Sequence, residues 1–179
     1  MPLSDDFIRR IDADCLRKPD AELRGMPAVI DTNVVLDLIF WHDKQAVALA
    51  EALTAGRITA LRDRETVLEL AEVLSRPHFL GSEEKALAAA ADWCARTHAA
   101  DEGVAADTEK TLAVRCRDPL DQKFLVLAVS AGAGLLVTKD KLVLKAGRRL
   151  KRFGIATIRP DEFAAFEAAL SEKDGGISR

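Results

Sequence analysis

The stretch Ala28-Val29-Ile30-Asp31-Thr32-Asn33-Val34-Val35-Leu36 constrains this chain more than any other. An apolar run ends on a carboxylate, a hydroxyl and an amide, and apolar residues then resume. An uninterrupted apolar run marks a strand covered on both faces. The polar residues directly after it fall at the carboxyl end of that strand, where open α/β sheets bind ligands. Asp31 is expected at this lip, with Thr32 or Asn33 capping the helix that follows. A strand-to-helix turn without further purpose has the same composition, so the stretch alone does not choose.

The rest of the chain alternates strand and helix. Val47, Leu49, Ala50 and Leu53 have helical spacing within 45–55, and Gly56 ends the run. A short strand is predicted at Ile58–Leu61 and a helix over 64–75, broken by Arg76-Pro77. Ser82 is predicted to cap an Ala-rich helix reaching Thr97. Residues 101–115 carry the weakest pattern, with one strand expected around Leu112–Arg115. Phe124–Val129 is apolar all round, as a buried helix is. A strand at Leu135–Thr138, a basic helix over 141–152, a strand at Ile155–Ile158 and a helix from Pro160 to Leu170 complete the pattern. Such alternation predicts one α/β domain, residues 26–170, around a mainly parallel sheet. Residues 1–25 read as an N-terminal extension, a short amphipathic helix on Phe7, Ile8, Ile11 and Leu16 followed by a linker. Whether it packs on the domain, mediates pairing or is disordered stays open. Residues 171–179 read as a disordered tail.

Composition narrows the function classes. A chain of 179 residues with 49% hydrophobic and 31% charged residues is a globular one with a sizeable core. Its formal charge of −3 exerts no overall pull on nucleic acid or anionic membrane, so a polyanion needs a local basic patch. No apolar run approaches the roughly 20 residues that span a bilayer. Cys15, Cys94 and Cys116 are odd in number and widely spaced, which suits neither a disulfide framework nor a zinc site. A reduced, cytoplasmic protein is the expectation. His42, His78 and His98 are scattered and read as surface or packing residues.

Acidic residues recur at the positions that matter. Asp140 follows a strand much as Asp31 does. Asp118 and Asp121 flank the start of the buried helix, where Asp118 as cap, Pro119 at the first position and Asp121 in the first turn also make a stable helix start. Glu65, Glu69 and Glu72 share one helix face, opposite Val67, Leu70, Ala71 and Leu74. An acidic stripe is by default solvated, and periodicity does not say which of the three turns toward a site.

These pieces together resemble the PIN-domain nucleases. The resemblance rests on Val29-Ile30-Asp31-Thr32-Asn33-Val34, on Glu69-Leu70-Ala71-Glu72-Val73-Leu74-Ser75-Arg76-Pro77-His78-Phe79 and on Cys116-Arg117-Asp118-Pro119-Leu120-Asp121-Gln122-Lys123-Phe124-Leu125. Leu136-Val137-Thr138-Lys139-Asp140 and Arg159-Pro160-Asp161-Glu162-Phe163 complete it, over roughly residues 28–166. The subgroup it is most similar to contains the toxins of toxin–antitoxin pairs. The resemblance implies a Rossmann-like, three-layer α/β/α fold and an Mg²⁺- or Mn²⁺-dependent ribonuclease. It assigns the catalytic acids to Asp31, Glu69, Asp121 and Asp140, with Asp118 as a further metal ligand and Thr32, Asn33 and Thr138 as polar support. It also implies an RNA substrate, a small antitoxin partner bearing Arg or Lys, and a homodimer. Leu120 and Gln122 stand where many relatives carry further polar or acidic residues, and Lys139 stands where a small residue is common, which would weaken metal binding.

The chemistry fits the residues. Two carboxylates about 4 Å apart repel by roughly 4 kcal/mol at an effective dielectric near 20. A cluster persists by holding protons, pairing with cations or binding a divalent ion. All-oxygen ligands without His or Cys favour Mg²⁺ or Mn²⁺ over zinc. RNA phosphates need cations, and Lys139, Lys141, Lys145, Arg148 and Arg149 lead a basic run beside Asp140. With few aromatics, base stacking is not evident. Two other readings compete. One is an aspartate-nucleophile phosphatase of the Asp-x-Asp-x-Thr kind, disfavoured because Asn33 replaces its second Asp. The other is a non-catalytic RNA- or protein-binding module of the same fold.

Overall fold

The structure, a computed structural model, describes residues 3–16 and 21–175. Five strands, β1 (Met26–Ile30), β2 (Ile58–Arg62), β3 (His98–Ala99), β4 (Leu135–Val137) and β5 (Ala156–Ile158), form one sheet in the order β3-β2-β1-β4-β5. Every neighbouring pair is parallel. The alternation of side chains along each strand divides the core in two. Ala28, Ile30, Ile58, Ala60, Leu135 and Val137 face one layer of helices. Val29, Leu61 and Leu136 face the other. The first layer holds α1 (Asp5–Asp14), α2 (Thr32–Leu36), α3 (Val47–Thr54), α4 (Arg64–Ser75), α5 (Glu83–Cys94) and the start of α9 (Phe163–Gly175). The second holds α6 (Glu102–Thr111), α7 (Gln122–Ser130) and α8 (Lys141–Gly147). This is the three-layer α/β/α arrangement expected from the sequence, and its sheet is parallel throughout.

Strand order decides where a site can form. From β1 the chain winds outward through β2 to β3, then returns to the far side of β1 as β4 and winds out to β5. The direction reverses between β1 and β4, and the carboxyl ends of two strands at such a reversal leave a crevice. Ile30 is in register with Val137, and the Asp31 amide donates to the Val137 carbonyl at 2.9 Å. Asp31 and Thr138 therefore leave adjacent strands side by side.

Three segments either resolve what the sequence left open or differ from it. The N-terminal helix packs on the domain: Phe7, Ile11 and Cys15 are fully buried in the first core layer, and Asp12 forms a two-pronged ion pair with Arg64 of α4 at 2.8 and 3.1 Å. Residues 17–20 of the expected linker lie outside the described residues. At the other end α9 continues to Gly175, so residues 171–175 are helical rather than part of a disordered tail. Residues 176–179 lie outside the described ones. Among the described residues no helix is long and apolar enough to cross a membrane.

The third difference is the segment before Asp118. Leu112–Arg115 pairs with no strand, and the sheet edge is supplied by His98–Ala99 instead. Glu102–Thr111 is a helix the periodicity missed, because α6 buries none of its residues and so has no apolar stripe. Leu112, Val114 and Cys116 are nevertheless buried. Their backbone is satisfied by a side chain: the Gln122 amide accepts from the Cys116 N–H at 2.7 Å and donates to the Val114 carbonyl at 3.0 Å. Gln122, 8% exposed, thus does for this segment what a neighbouring strand would have done. Replacing it by Leu strands a buried donor and a buried acceptor, at about 1–3 kcal/mol each. Gln122→Leu is expected to lower the urea midpoint accordingly, with an unchanged slope; a midpoint equal to wild type would show that the clamp contributes nothing.

Candidate active site

Asp31 ends β1 and is itself the cap of α2, the role expected of Thr32 or Asn33. Its Oδ1 accepts from the Asn33 N–H at 3.2 Å, Thr32 becomes the first helical residue and is buried, and the exposed Asn33 lines the cleft. The other oxygen, Oδ2, accepts from the Thr138 hydroxyl at 2.6 Å. Thr138 is wholly buried, and its Oγ1 also accepts the Asp140 N–H at 3.0 Å. Asp140 in turn caps α8, its Oδ1 accepting from Leu142 and Val143 N–H at 2.6 and 3.0 Å. One hydroxyl therefore ties together the turns that carry the two strand-end acids. Asp31 is only 2% exposed. Burial raises its pKa first, the Thr138 and Asn33 hydrogen bonds oppose that rise, and the negative charges of Glu69 and Asp140 add to it.

From the opposite side, Asp118 caps the 3-10 turn Pro119–Asp121 through the Leu120 N–H at 2.9 Å. Asp121 stands at the start of α7 but makes no capping hydrogen bond. Burial first, then repulsion from Asp31, Asp118, Asp140 and Glu69, raises its carboxyl from the ordinary range to about 6. All the acids assigned by resemblance thus act on Asp121 from one neighbourhood.

The acidic stripe of α4 splits into three fates. Glu69 makes an ion pair with the Lys123 ammonium, which is mostly buried with its side chain 13% exposed. Glu72 pairs with Arg76 at 3.3 Å. Glu65 has its pKa raised by burial and by the charges of Asp63 and Glu109, against the lowering influence of Lys123. Only Glu69 bears on both Asp31 and Asp121. The cleft beside them, of about 760 Å³, is lined by Asn33, Glu69, Asp118, Asp121 and Lys123, and its far wall includes Leu3 and Ile8 of the N-terminal segment.

Among the described residues, no three of the Asp, Glu, His and Cys side chains stand close enough to hold one ion as they are. The donor chemistry nonetheless suits a hard divalent cation. All the converging groups are carboxylates, their charges oppose one another, and Asp121 has both oxygens unengaged by capping. The histidines take no part; the Nδ1 of His98, for instance, contacts the Ala21 carbonyl at 3.1 Å.

The basic run is less concentrated than its sequence suggests. Lys139 is committed to Asp37, with Nζ at 2.8 and 2.6 Å from the two carboxylate oxygens, and Asp37 is buried. Lys139, expected among the cations facing RNA, is thus engaged by Asp37 and pairs with neither Asp31 nor Asp140. Lys141 and Lys145 are exposed on α8, starting at the lip. Arg148 and Arg149 are exposed on the 3-10 helix that leads into β5, and so lie toward the opposite edge of the sheet. Two features went unseen in the sequence. The sequence assigned Lys123 no role, and only its distant partner Glu69 gives it one. Phe40, Trp41 and Phe79 come together with ring centroids 4.6 to 5.9 Å apart, next to His78. That is three of the nine Phe and Trp rings in one cluster, with Trp41 58% exposed, although Phe79 is far in sequence from the adjacent Phe40 and Trp41.

A parallel sheet with carboxylates near its reversal point defines an α/β domain with an acidic cleft, and comparison with known proteins narrows the class. Residues 27–142 match the PIN domain model, and the chain belongs to the PIN domain family. Six solved chains match its fold. One is in the crystal structure of VapBC2 from Rickettsia felis bound to a DNA fragment from their promoter, with a TM-score of 0.55 and 16% identity. That alignment covers 75% of this chain and 98% of the other. No curated protein matches the sequence significantly.

The raised pKa of Asp121 has a consequence for stability. Between the unfolded pKa near 3.8 and the folded value of about 6, the native state binds the proton more tightly, so stability falls as pH rises through that window. Above it the ionised group is a net cost, about 1 kcal/mol once solvent screening is allowed for. In chelator at pH 7.5, Asp121→Asn is expected to melt ~2–4 °C above wild type. At pH 4 the two should melt together. A variant that melts lower at pH 7.5 would contradict the repulsion.

Proposed function

We propose that this protein is a divalent-metal-dependent endoribonuclease, with Mg²⁺ or Mn²⁺ as cofactor, and the toxin of a toxin–antitoxin pair. The observation that carries the reading is that the Thr138 hydroxyl joins Asp31 to the turn of Asp140 beside a cleft lined by Glu69, Asp118 and Asp121, acids from separate parts of the chain. Asp31, Glu69, Asp121 and Asp140, with Asp118, are the residues that would hold the ion. What the ion supplies when bound is a charge that makes water a competent attacker near neutral pH and offsets charge developing on the phosphodiester.

The chain's own groups have distinct tasks. Thr138 fixes the Asp31 carboxylate in one orientation through a short hydrogen bond, and the α2 amide of Asn33 holds its other oxygen. Asp140 is held by the first turn of α8. Asp121 has the freedom to turn, since no amide restrains it. Lys141 and Lys145 provide phosphate contacts at the lip, while Arg148 and Arg149 extend the positive surface away from it. Unpaired bases have a stacking surface at Phe40, Trp41 and Phe79. Support for the toxin assignment comes from the resemblance of its motifs to that subgroup of the PIN family, and the fold is one it shares with VapBC2 from Rickettsia felis, solved bound to a DNA fragment from their promoter. A small antitoxin with an Arg or Lys entering the acidic cleft, and a homodimeric toxin, go with the same reading, as does a cytoplasmic location.

Cleavage of single-stranded RNA, with Mn²⁺ or with chelator, tests this. Wild type is expected to cut only with metal. Asp31→Asn should lose at least about 10²-fold in rate, the scale of removing one main electrostatic contributor to a transition state, while still binding RNA. Undiminished cutting by Asp31→Asn would remove the mechanism. RNA binding by an inert wild type would favour the non-catalytic module.

A further inference from the structure

Lys123 sits in a place the nuclease reading does not use. It projects from the first turn of α7 toward α4, where its ammonium forms the ion pair with Glu69. The same ammonium donates to the Leu120 carbonyl at 2.5 Å and lies 5.3 Å from the Phe124 ring centroid. Its side chain is 13% exposed, that of Glu69 27%, so this is a largely desolvated pair and not a solvated surface contact. Lys123 also lines the second, smaller cavity of about 220 Å³ together with Glu65, Glu102 and Glu109. Glu65 is one helical turn before Glu69 on the same face of α4, and it lines both the small cavity and the main cleft.

We infer that Lys123 is a built-in counter-cation that holds Glu69 until a divalent ion binds, and then moves across to Glu65. The inference rests on the metal-dependent reading above. In the free protein positive charge must offset the crowded acids, and among the described residues Lys123 is a cation in contact with one of them. A divalent ion that takes Glu69 as a ligand competes with the ammonium for the same oxygens. The displaced ammonium keeps its Leu120 and Phe124 contacts and finds a second carboxylate one turn away. Lys123 is thus a positioning residue: it sets the threshold of metal occupancy without touching the substrate. The exchange conserves ion pairs, since Glu69 gains the metal as Glu65 gains the lysine.

Mn²⁺ affinity of the full chain by calorimetric titration, without RNA, reads this directly. Lys123→Met is expected to bind Mn²⁺ at least about tenfold more tightly than wild type, a change of roughly 1.4 kcal/mol. It should also melt lower in chelator and gain more from added Mn²⁺. Lys123→Arg, which keeps the charge, should stay close to wild type. Glu65→Gln should weaken Mn²⁺ binding several-fold, and this effect should vanish in the Lys123→Met background, as coupling through one pair requires. Where Lys123→Met does not fold, Lys123→Gln serves under the same criteria. Equal or weaker Mn²⁺ binding by the folded neutral variants overturns the counter-cation. A Glu65 effect of full size in both backgrounds overturns the exchange. A folded wild type that binds no Mn²⁺ overturns the metal-dependent reading itself, an outcome distinct from wild-type binding that the lysine does not alter. NMR of the lysine ammonium during Mg²⁺ titration gives an independent readout: the Lys123 resonance should shift on saturation, and an unmoved one would contradict displacement.

Discussion

The Thr138 hydroxyl is the interaction on which the rest of this site depends. It donates to Asp31 and accepts from the Asp140 backbone, and so joins the ends of two adjacent parallel strands in one geometry. That joint exists because Ile30 and Val137 are in register. A slip of one residue would send each of these side chains to the other face of the sheet. The apolar layers forbid such a slip, since Ala28 and Ile30 belong to one core and Val29 to the other. Packing of hydrophobic residues thereby fixes the separation of two carboxylates that take no part in the packing.

Charge is the second constraint. Asp31, Asp118 and Asp140 each spend one oxygen capping a helical turn, which lets acids be brought together while backbone amides partly compensate them. Asp121 has no such compensation, and the repulsion gathers there. Sites that need strongly perturbed groups are built in this way, with stability given up locally and recovered in the core. Lys123 supplies a positive charge in contact with Glu69, and Lys139 does the same for the buried Asp37.

Departures from the family's usual residues take on a different meaning in three dimensions. Gln122, read in sequence as a lost polar or acidic site residue, spends its amide on the backbone of Val114 and Cys116. The N-terminal extension, outside the family-matched segment, contributes buried side chains to the core and part of the cleft wall.

Much of the architecture could be read from sequence because it follows from local physics. The apolar runs at Ala28–Ile30 and Leu135–Val137 declare buried strands, the caps at Ser82 and Asp118 declare helix starts, and the run Phe124–Val129 declares a helix without a wet face. Asp31, Asp118, Asp121 and Asp140 were legible as candidates too, at strand ends and helix starts, whereas Glu69 came only from the family resemblance. Hidden were the elements without an apolar stripe, such as α6, and every relation between distant residues. Nothing in the sequence of Glu65, Glu69 and Glu72 distinguishes them; only the approach of α7 gives Glu69 to Lys123. Nor does sequence separate Lys139 from Lys141, until Asp37 claims the first and solvent keeps the second. Residue type and spacing determine which elements form and which groups they carry, because those are short-range effects. Which groups meet, and therefore which charges are compensated, is decided by tertiary packing, because Coulomb forces and hydrogen bonds act through distances that sequence separation does not measure.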